Sequence, residues 1–154
     1  MTEHSAGILL YRRVPELEVF IAHMGGPFWA RKDARAWSIP KGLLDGDEDP
    51  RIAARREFAE EIGTPAPDIE YLALGDVRYS SGKLVTVFAA EAPDFAPNEI
   101  VSNTFDLEWP PRSGRTQSFA EVDDARWVAL DVARDKLVAG QVAALDLLME
   151  AVSG

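Results

Sequence analysis

Between Asp49 and Gly63 the chain carries the start and the stop of one helix. Asp49 supplies an N-cap acceptor, and Pro50 follows at the first helical position, where its missing N–H costs nothing. Gly63 is the stop, with Pro65 and Pro67 just beyond it. Within the helix Ala54, Phe58 and Ile62 recur every four residues and form the stripe that must face a core. Glu57, Glu60 and Glu61 fall within an arc of about 100° beside that stripe, because positions i, i+3 and i+4 are neighbours.

The flanks read as strands. Ser5 to Arg12 and Glu18 to His23 are apolar and partly β-branched, joined around Pro15. Met24 to Ala36 contains Gly-Gly-Pro without a period and reads as a loop. Trp37 to Lys41 is a short strand running into Gly42, and Leu44 to Asp49 a polar turn. Ile69 to Ser80 and Lys83 to Ala90 flank Ser81-Gly82 as a hairpin. Thr104 to Trp109 reads as a strand between the loops Glu91 to Pro97 and Pro110 to Ser118, and Ala125 to Leu130 as another. Asp131 is expected to cap a short helix. Gln141 to Val152 is a last helix with Val142, Leu145, Leu148, Met149 and Val152 on one face. With no repeat or linker, residues 1–154 are expected to form one α/β domain with a mixed sheet.

Crowded glutamates repel, and like charges at i, i+4 destabilise a helix by a few tenths of a kcal/mol. An acidic face without a task is one reading of them. Divalent cations are the other, since hard oxygen ligands select Mg²⁺ or Mn²⁺. The rest of the composition narrows the metal chemistry: there is no cysteine, and His4 and His23 are the two histidines. Thiolate sites are excluded and a His-rich centre has little to build on. A formal charge of −10 disfavours long nucleic acid and anionic lipid as partners. It leaves room for a small phosphorylated ligand, because a divalent cation can bridge two anions. No run of about 18 apolar residues is present, and the N-terminus lacks the layout of a signal peptide. A cytoplasmic location is expected.

Gly42, Glu48, Arg56, Glu57, Phe58, Glu60, Glu61 and Gly63 together fit G-x5-E-x7-R-E-U-x-E-E-x-G-U, with U a bulky apolar residue. Seven of these positions demand a single residue type, each met by chance at roughly 7% or less on average composition. The run resembles the Nudix box of the Nudix hydrolases, over Gly42 to Thr64. Its last apolar position holds the smaller, half-polar Thr64. The resemblance implies an α/β/α sandwich and a pyrophosphohydrolase acting on nucleoside diphosphates linked to another group. It implies that Glu57, Glu60 and Glu61 ligate the catalytic Mg²⁺ (or Mn²⁺), with the Gly42 carbonyl as a further ligand. Arg56 would orient a carboxylate, and Glu48 would either pair with Arg56 or assist at a metal through water. Many family members use a glutamate outside the box as general base. Glu121 is the candidate here, with Glu99 and Glu108 as alternatives.

Substrate features are fewer. Lys41, in Pro40-Lys41-Gly42, stands beside the metal loop as a point charge for a phosphate oxygen. A lysine there is similar to dinucleoside polyphosphate and inositol pyrophosphate hydrolases, whereas triphosphate-cleaving members commonly carry Pro-Gly-Gly. Arg112 and Arg115 form a small basic turn suited to distal phosphates. Trp29, Phe28 or Tyr79 offers a ring for stacking on a base, whereas Trp37, Trp109 and Trp127 read as packing residues. Neither a Walker A pattern, G-x-S-x-G nor G-x-G-x-x-G occurs. The expected substrate is a small nucleotide, a dinucleoside polyphosphate such as diadenosine tetraphosphate. The alternatives are a nucleoside triphosphate, oxidised forms included, and a nucleotide-sensing module without turnover.

Overall fold

Strand β1 (His4–Arg13) is buried on both faces along Ala6 to Leu10, which is why its sequence is a continuous apolar run rather than an alternating one. The computed structural model describes residues 3–153. In it β1 pairs antiparallel with β2 (Leu17–Met24) and parallel with β6 (Leu84–Glu91). Strand β3 (Trp37–Ser38) extends the sheet beyond β2, and β5 (Leu72–Arg78) extends it beyond β6. Strand β4 (Lys41–Leu43) pairs with β1, and β9 (Val122–Ala129) with β2. The sheet is therefore mixed, as expected.

Helices cover both faces. Ile8 and Leu10 point to α1 (Pro50–Ile62) and pack with Phe20, Ala54, Phe58, Ile62 and Phe88. Leu9 points the other way, into a core shared by Val19, Ile21, Trp37, Val87, Leu137, Leu145 and Leu148. That second core is closed by α2 (Leu130–Lys136) and α3 (Val142–Ser153), with a 3-10 turn at Ala139–Gln141 between them. Gln141 is fully buried and holds three partners. Its Oε1 accepts from the Ile39 amide, and its Nε2 donates to Ser38 Oγ and to the Tyr79 hydroxyl.

Helix α1 has the predicted ends. The Asp49 carboxylate accepts from the Arg51 amide, and Gly63 sits at φ 87°, the left-handed region open to glycine. Several other expectations need correction. Trp37 to Lys41 is not one strand: β3 stops at Ser38, and Lys41 begins β4 on a different partner. Thr116–Ala120, expected within a loop, is β8, which pairs with β7 (Thr104–Glu108) in an arm separate from the main sheet. Its exposed polar residues give no alternation to read. Strand β9 starts at Val122, three residues earlier than expected. The cap of α2 is Ala129, while Asp131 lies in the first turn and accepts from the Val132 amide. Met149 is exposed rather than on the buried face of α3. Among the described residues no helix is long and apolar enough to cross a membrane.

Candidate active site

The acidic face of α1 lies over β4. A Cβ at Gly42 would overlap the Glu57 carboxylate, so only glycine lets this helix and strand approach so closely. Glu61, one turn on, accepts at Oε1 from the Lys41 amide at 3.1 Å. Arg56 binds the remaining acids. Its Nε and Nη2 reach the two oxygens of Glu48 at 3.2 and 2.9 Å, and Nη1 reaches Glu57 at 2.8 Å and Glu60 at 3.4 Å. Nη2 also donates to the Leu43 carbonyl. Of the two roles open to Glu48, the geometry has the pairing with Arg56.

These residues open onto a two-lobed cleft. One lobe, of about 340 Å³, is bounded by Lys41, Gly42, Glu57, Glu61, Glu121, Lys83 and Tyr79. The other, of about 260 Å³, shares Lys41, Glu61 and Glu121 and continues past Trp29, Met24 and Phe105. The first lobe is charged and the second largely apolar, with two aromatic rings. A hollow of similar size on the opposite face of α1, about 330 Å³ between Arg51, Tyr71 and Phe88, gathers no carboxylate cluster. There the Arg51 guanidinium is already stacked over Phe88 and bonded to the Tyr71 carbonyl.

Burial pushes the Glu61 carboxyl up to about 8, opposed by the nearby Lys41 charge. Burial also raises Glu57, against the pull of Arg56, and raises Glu121, where the Glu60 charge adds to the effect. Glu48 is shifted the other way, lowered by its hydrogen bonds from Arg56. The carboxyls that face the cleft therefore resist ionisation, and Glu48, held by Arg56 and by the Asp45 amide, ionises readily.

Among the described residues, no three acidic or histidine side chains close into a coordination shell as they stand. Glu57 and Glu60 are turned to the Arg56 guanidinium and Glu61 to the Lys41 amide. Each contact uses one oxygen, and the second oxygen of each carboxylate accepts no hydrogen bond among the described residues. The donor set is all oxygen, its charges are poorly compensated by the protein, and two of its members are held up by burial. It fits a hard divalent cation.

Other candidates fall at different distances from this cleft. Glu121 lines both lobes. Glu108 instead accepts from the Arg112 amide on the arm, and Glu99 is exposed on the loop before it. Arg112 and Arg115 are exposed in the β7–β8 turn and line neither lobe. Tyr79 forms a wall of the charged lobe, with its ring against Gly140 and its hydroxyl engaged by Gln141. Trp29 lines the apolar lobe, while Phe28 is exposed and packs edge-on against Trp109. Phe105 was not legible as a site residue, because it lies on the arm beside Phe119 and meets the cleft through Gly26, far away in sequence.

A sequence profile of the NUDIX domain matches residues 1–148, nearly the whole chain. The chain belongs to the Nudix family. Among curated proteins it is 30% identical over 151 residues to the 8-oxo-(d)GTP phosphatase of Mycolicibacterium smegmatis, covering 88% of this chain and 38% of that protein. It is 36% identical over 69 residues to an RNA pyrophosphohydrolase of Pseudomonas putida, covering 42% of this chain and 43% of the relative. The chain thus spans less than half the length of these curated relatives. Among solved structures, an Ap4A hydrolase of C. elegans superposes with a TM-score of 0.66 at 20% identity, covering 97% of this chain and 98% of that one. That likeness establishes the Nudix fold, the sandwich with a mixed sheet. Nudix hydrolases generally use divalent metal ions.

Proposed function

We propose that this Nudix protein is a cytoplasmic, Mg²⁺-dependent pyrophosphohydrolase that splits a phosphoanhydride in a small nucleotide, with a dinucleoside polyphosphate such as diadenosine tetraphosphate as the leading substrate. The observation that carries this reading is the cleft itself. A lobe walled by acids and by Lys41 and Lys83 adjoins an apolar lobe walled by Trp29 and Phe105, and Lys41, Glu61 and Glu121 stand where they meet. A phosphate chain needs the first environment and a nucleoside the second.

In this reading oxygens of Glu57, Glu60 and Glu61, with the Gly42 carbonyl, hold the divalent cation. When bound, the cation supplies Lewis acidity to the anhydride and to the attacking water. Arg56 keeps Glu57 and Glu60 at fixed positions, and Glu48 keeps Arg56 in register through its two-point contact. Lys41 binds a phosphate oxygen as a compact charge. Glu121, raised by burial and by the Glu60 charge, takes the proton from the attacking water at its carboxylate. The products are two phosphorylated fragments, one of which carries the oxygen from water. Trp29 and Phe105 hold the base by stacking.

The 30% identity to the 8-oxo-(d)GTP phosphatase, extending over 88% of this chain, favours a second reading. In it a nucleoside triphosphate is cleaved by the same acids, with its base in the apolar lobe. Product analysis separates the two. Diadenosine tetraphosphate giving ATP and AMP faster than any triphosphate is cut supports the first. Faster cleavage of a triphosphate supports the second, and intact nucleotides throughout would leave only a sensing module.

A further inference from the structure

His23 is buried in β2 at 8% exposure, edge-on to Trp37, and outside the acidic cleft. Its Nδ1 lies 2.6 Å from Asp123 Oδ1 and its Nε2 lies 2.7 Å from the Lys32 carbonyl. A carboxylate and a carbonyl only accept, so each contact needs its own ring N–H. Asp123 reaches His23 because the β2–β9 ladder slips there. His23 faces Asp124 and Met24 faces Val122, leaving Asp123 as the extra residue of a β-bulge. Such a bulge re-aims a side chain next to a site.

The two things His23 joins are the two walls of the apolar lobe. On one side is the turn that carries Trp29: the Trp29 amide donates to Gly26, and the Lys32 amide donates to Trp29. The near end of this turn is tied to the site by the Gly25 amide donating to the Glu121 carbonyl at 2.8 Å. Its far end is held at Lys32 by His23, and at the next residue Asp33 accepts from Lys136 and from the Trp37 indole. On the other side is the start of β9, where Asp123 stands two residues from Glu121.

Resting on the reading above, we propose that His23 is a positioning residue, clamping the Trp29 turn to the Glu121–Asp123 segment so that the stacking ring and the base keep a fixed separation. It touches no reacting atom. Losing Asp123 leaves the ring tied to Lys32 alone, and losing His23 removes both contacts; either way the link between the Trp29 turn and the Glu121–Asp123 segment is broken.

The test uses His23→Gln, whose two N–H donors share one nitrogen and cannot reach partners on opposite sides of the ring, and Asp123→Ala, whose side chain is 43% exposed. Asp123→Asn keeps an acceptor oxygen. In ¹⁵N-labelled full-length protein, the Trp29 indole N–H resonance, assigned with Trp29→Ala, should shift or broaden in Asp123→Ala and return towards its original position in Asp123→Asn. On the substrate that wild type cleaves, kcat/KM should fall about tenfold in Asp123→Ala, with KM raised and kcat lowered together, and Asp123→Asn should recover most of the loss. A fall in melting temperature with the Trp29 resonance, KM and kcat unchanged would overturn the clamp and leave His23 a packing residue. The resonance needs no turnover, so it decides the clamp even where wild type cleaves nothing, a result that would sink only the proposed function.

Discussion

Arg56 grips Glu48 at two points, Nε at 3.2 Å from Oε2 and Nη2 at 2.9 Å from Oε1, while its Nη1 serves Glu57 and Glu60. One planar fork therefore fixes three carboxylates from two segments of the chain. A lysine keeps the charge but offers no second parallel donor. Arg56→Lys is expected to lower kcat by about 10- to 100-fold with circular dichroism unchanged. Steady-state kinetics at saturating Mg²⁺ checks this, and a variant as active as wild type would mean that the fork does not organise the site.

Gly42 tests the approach of α1 to β4. A methyl group there meets the Glu57 carboxylate, which must turn away because the backbone on both sides is paired. Gly42→Ala should raise the Mg²⁺ concentration for half-maximal activity by about tenfold or more, while the chain still folds. A Mg²⁺ titration of turnover reads it directly.

The elevated Glu61 carboxyl gives stability a definite pH dependence in the presence of a chelator. Its folded value of about 8 lies above the ordinary carboxylate value of 4.5, so the folded chain holds a proton that the unfolded chain releases. That contribution is complete below about 4.5 and is lost as pH rises through about 8. Glu57 and Glu121 act in the same direction. In EDTA, the melting temperature should fall between pH 6 and pH 8.5, and Glu61→Gln, which mimics the protonated form, should flatten that fall. Added Mg²⁺ should restore stability at pH 8.5, because the ion binds the deprotonated carboxylates.

Trp29 tests the apolar lobe. Stacking of a base on an aromatic ring is worth about 1–3 kcal/mol, so Trp29→Ala should raise KM about tenfold and leave kcat within about threefold. Isothermal titration with a non-hydrolysable nucleotide should show the same loss in affinity. An unchanged KM would remove the base from this lobe.

Much of this was legible because α1 carries its own boundaries and its chemistry together. Asp49, Pro50 and Gly63 delimit the helix through backbone rules, and the spacing of Glu57, Glu60 and Glu61 follows from the helical period. The parts that escaped depend on distant segments. Phe105 and Trp29 share a lobe only because the β7–β8 arm folds over the Gly-Pro loop. The sequence offers Glu121 as the candidate base but leaves Glu99 and Glu108 open, since what separates them is position against Lys41 and Glu61. Strand β8 was missed because Thr116 to Ser118 are exposed and polar and give no apolar alternation. Gln141, a polar residue at full burial, is explained only by its three partners on β3, on the segment after it, and at the end of β5.

The most direct test of metal-dependent anhydride hydrolysis is product analysis of diadenosine tetraphosphate and 8-oxo-dGTP, with wild type and Glu61→Gln compared in Mg²⁺ and in EDTA. We expect Mg²⁺-dependent cleavage by wild type, abolished by EDTA and reduced by at least about 10³-fold in Glu61→Gln, as befits loss of a metal-holding carboxylate. Turnover that persists in Glu61→Gln at near wild-type rate, or that ignores EDTA, would contradict the account.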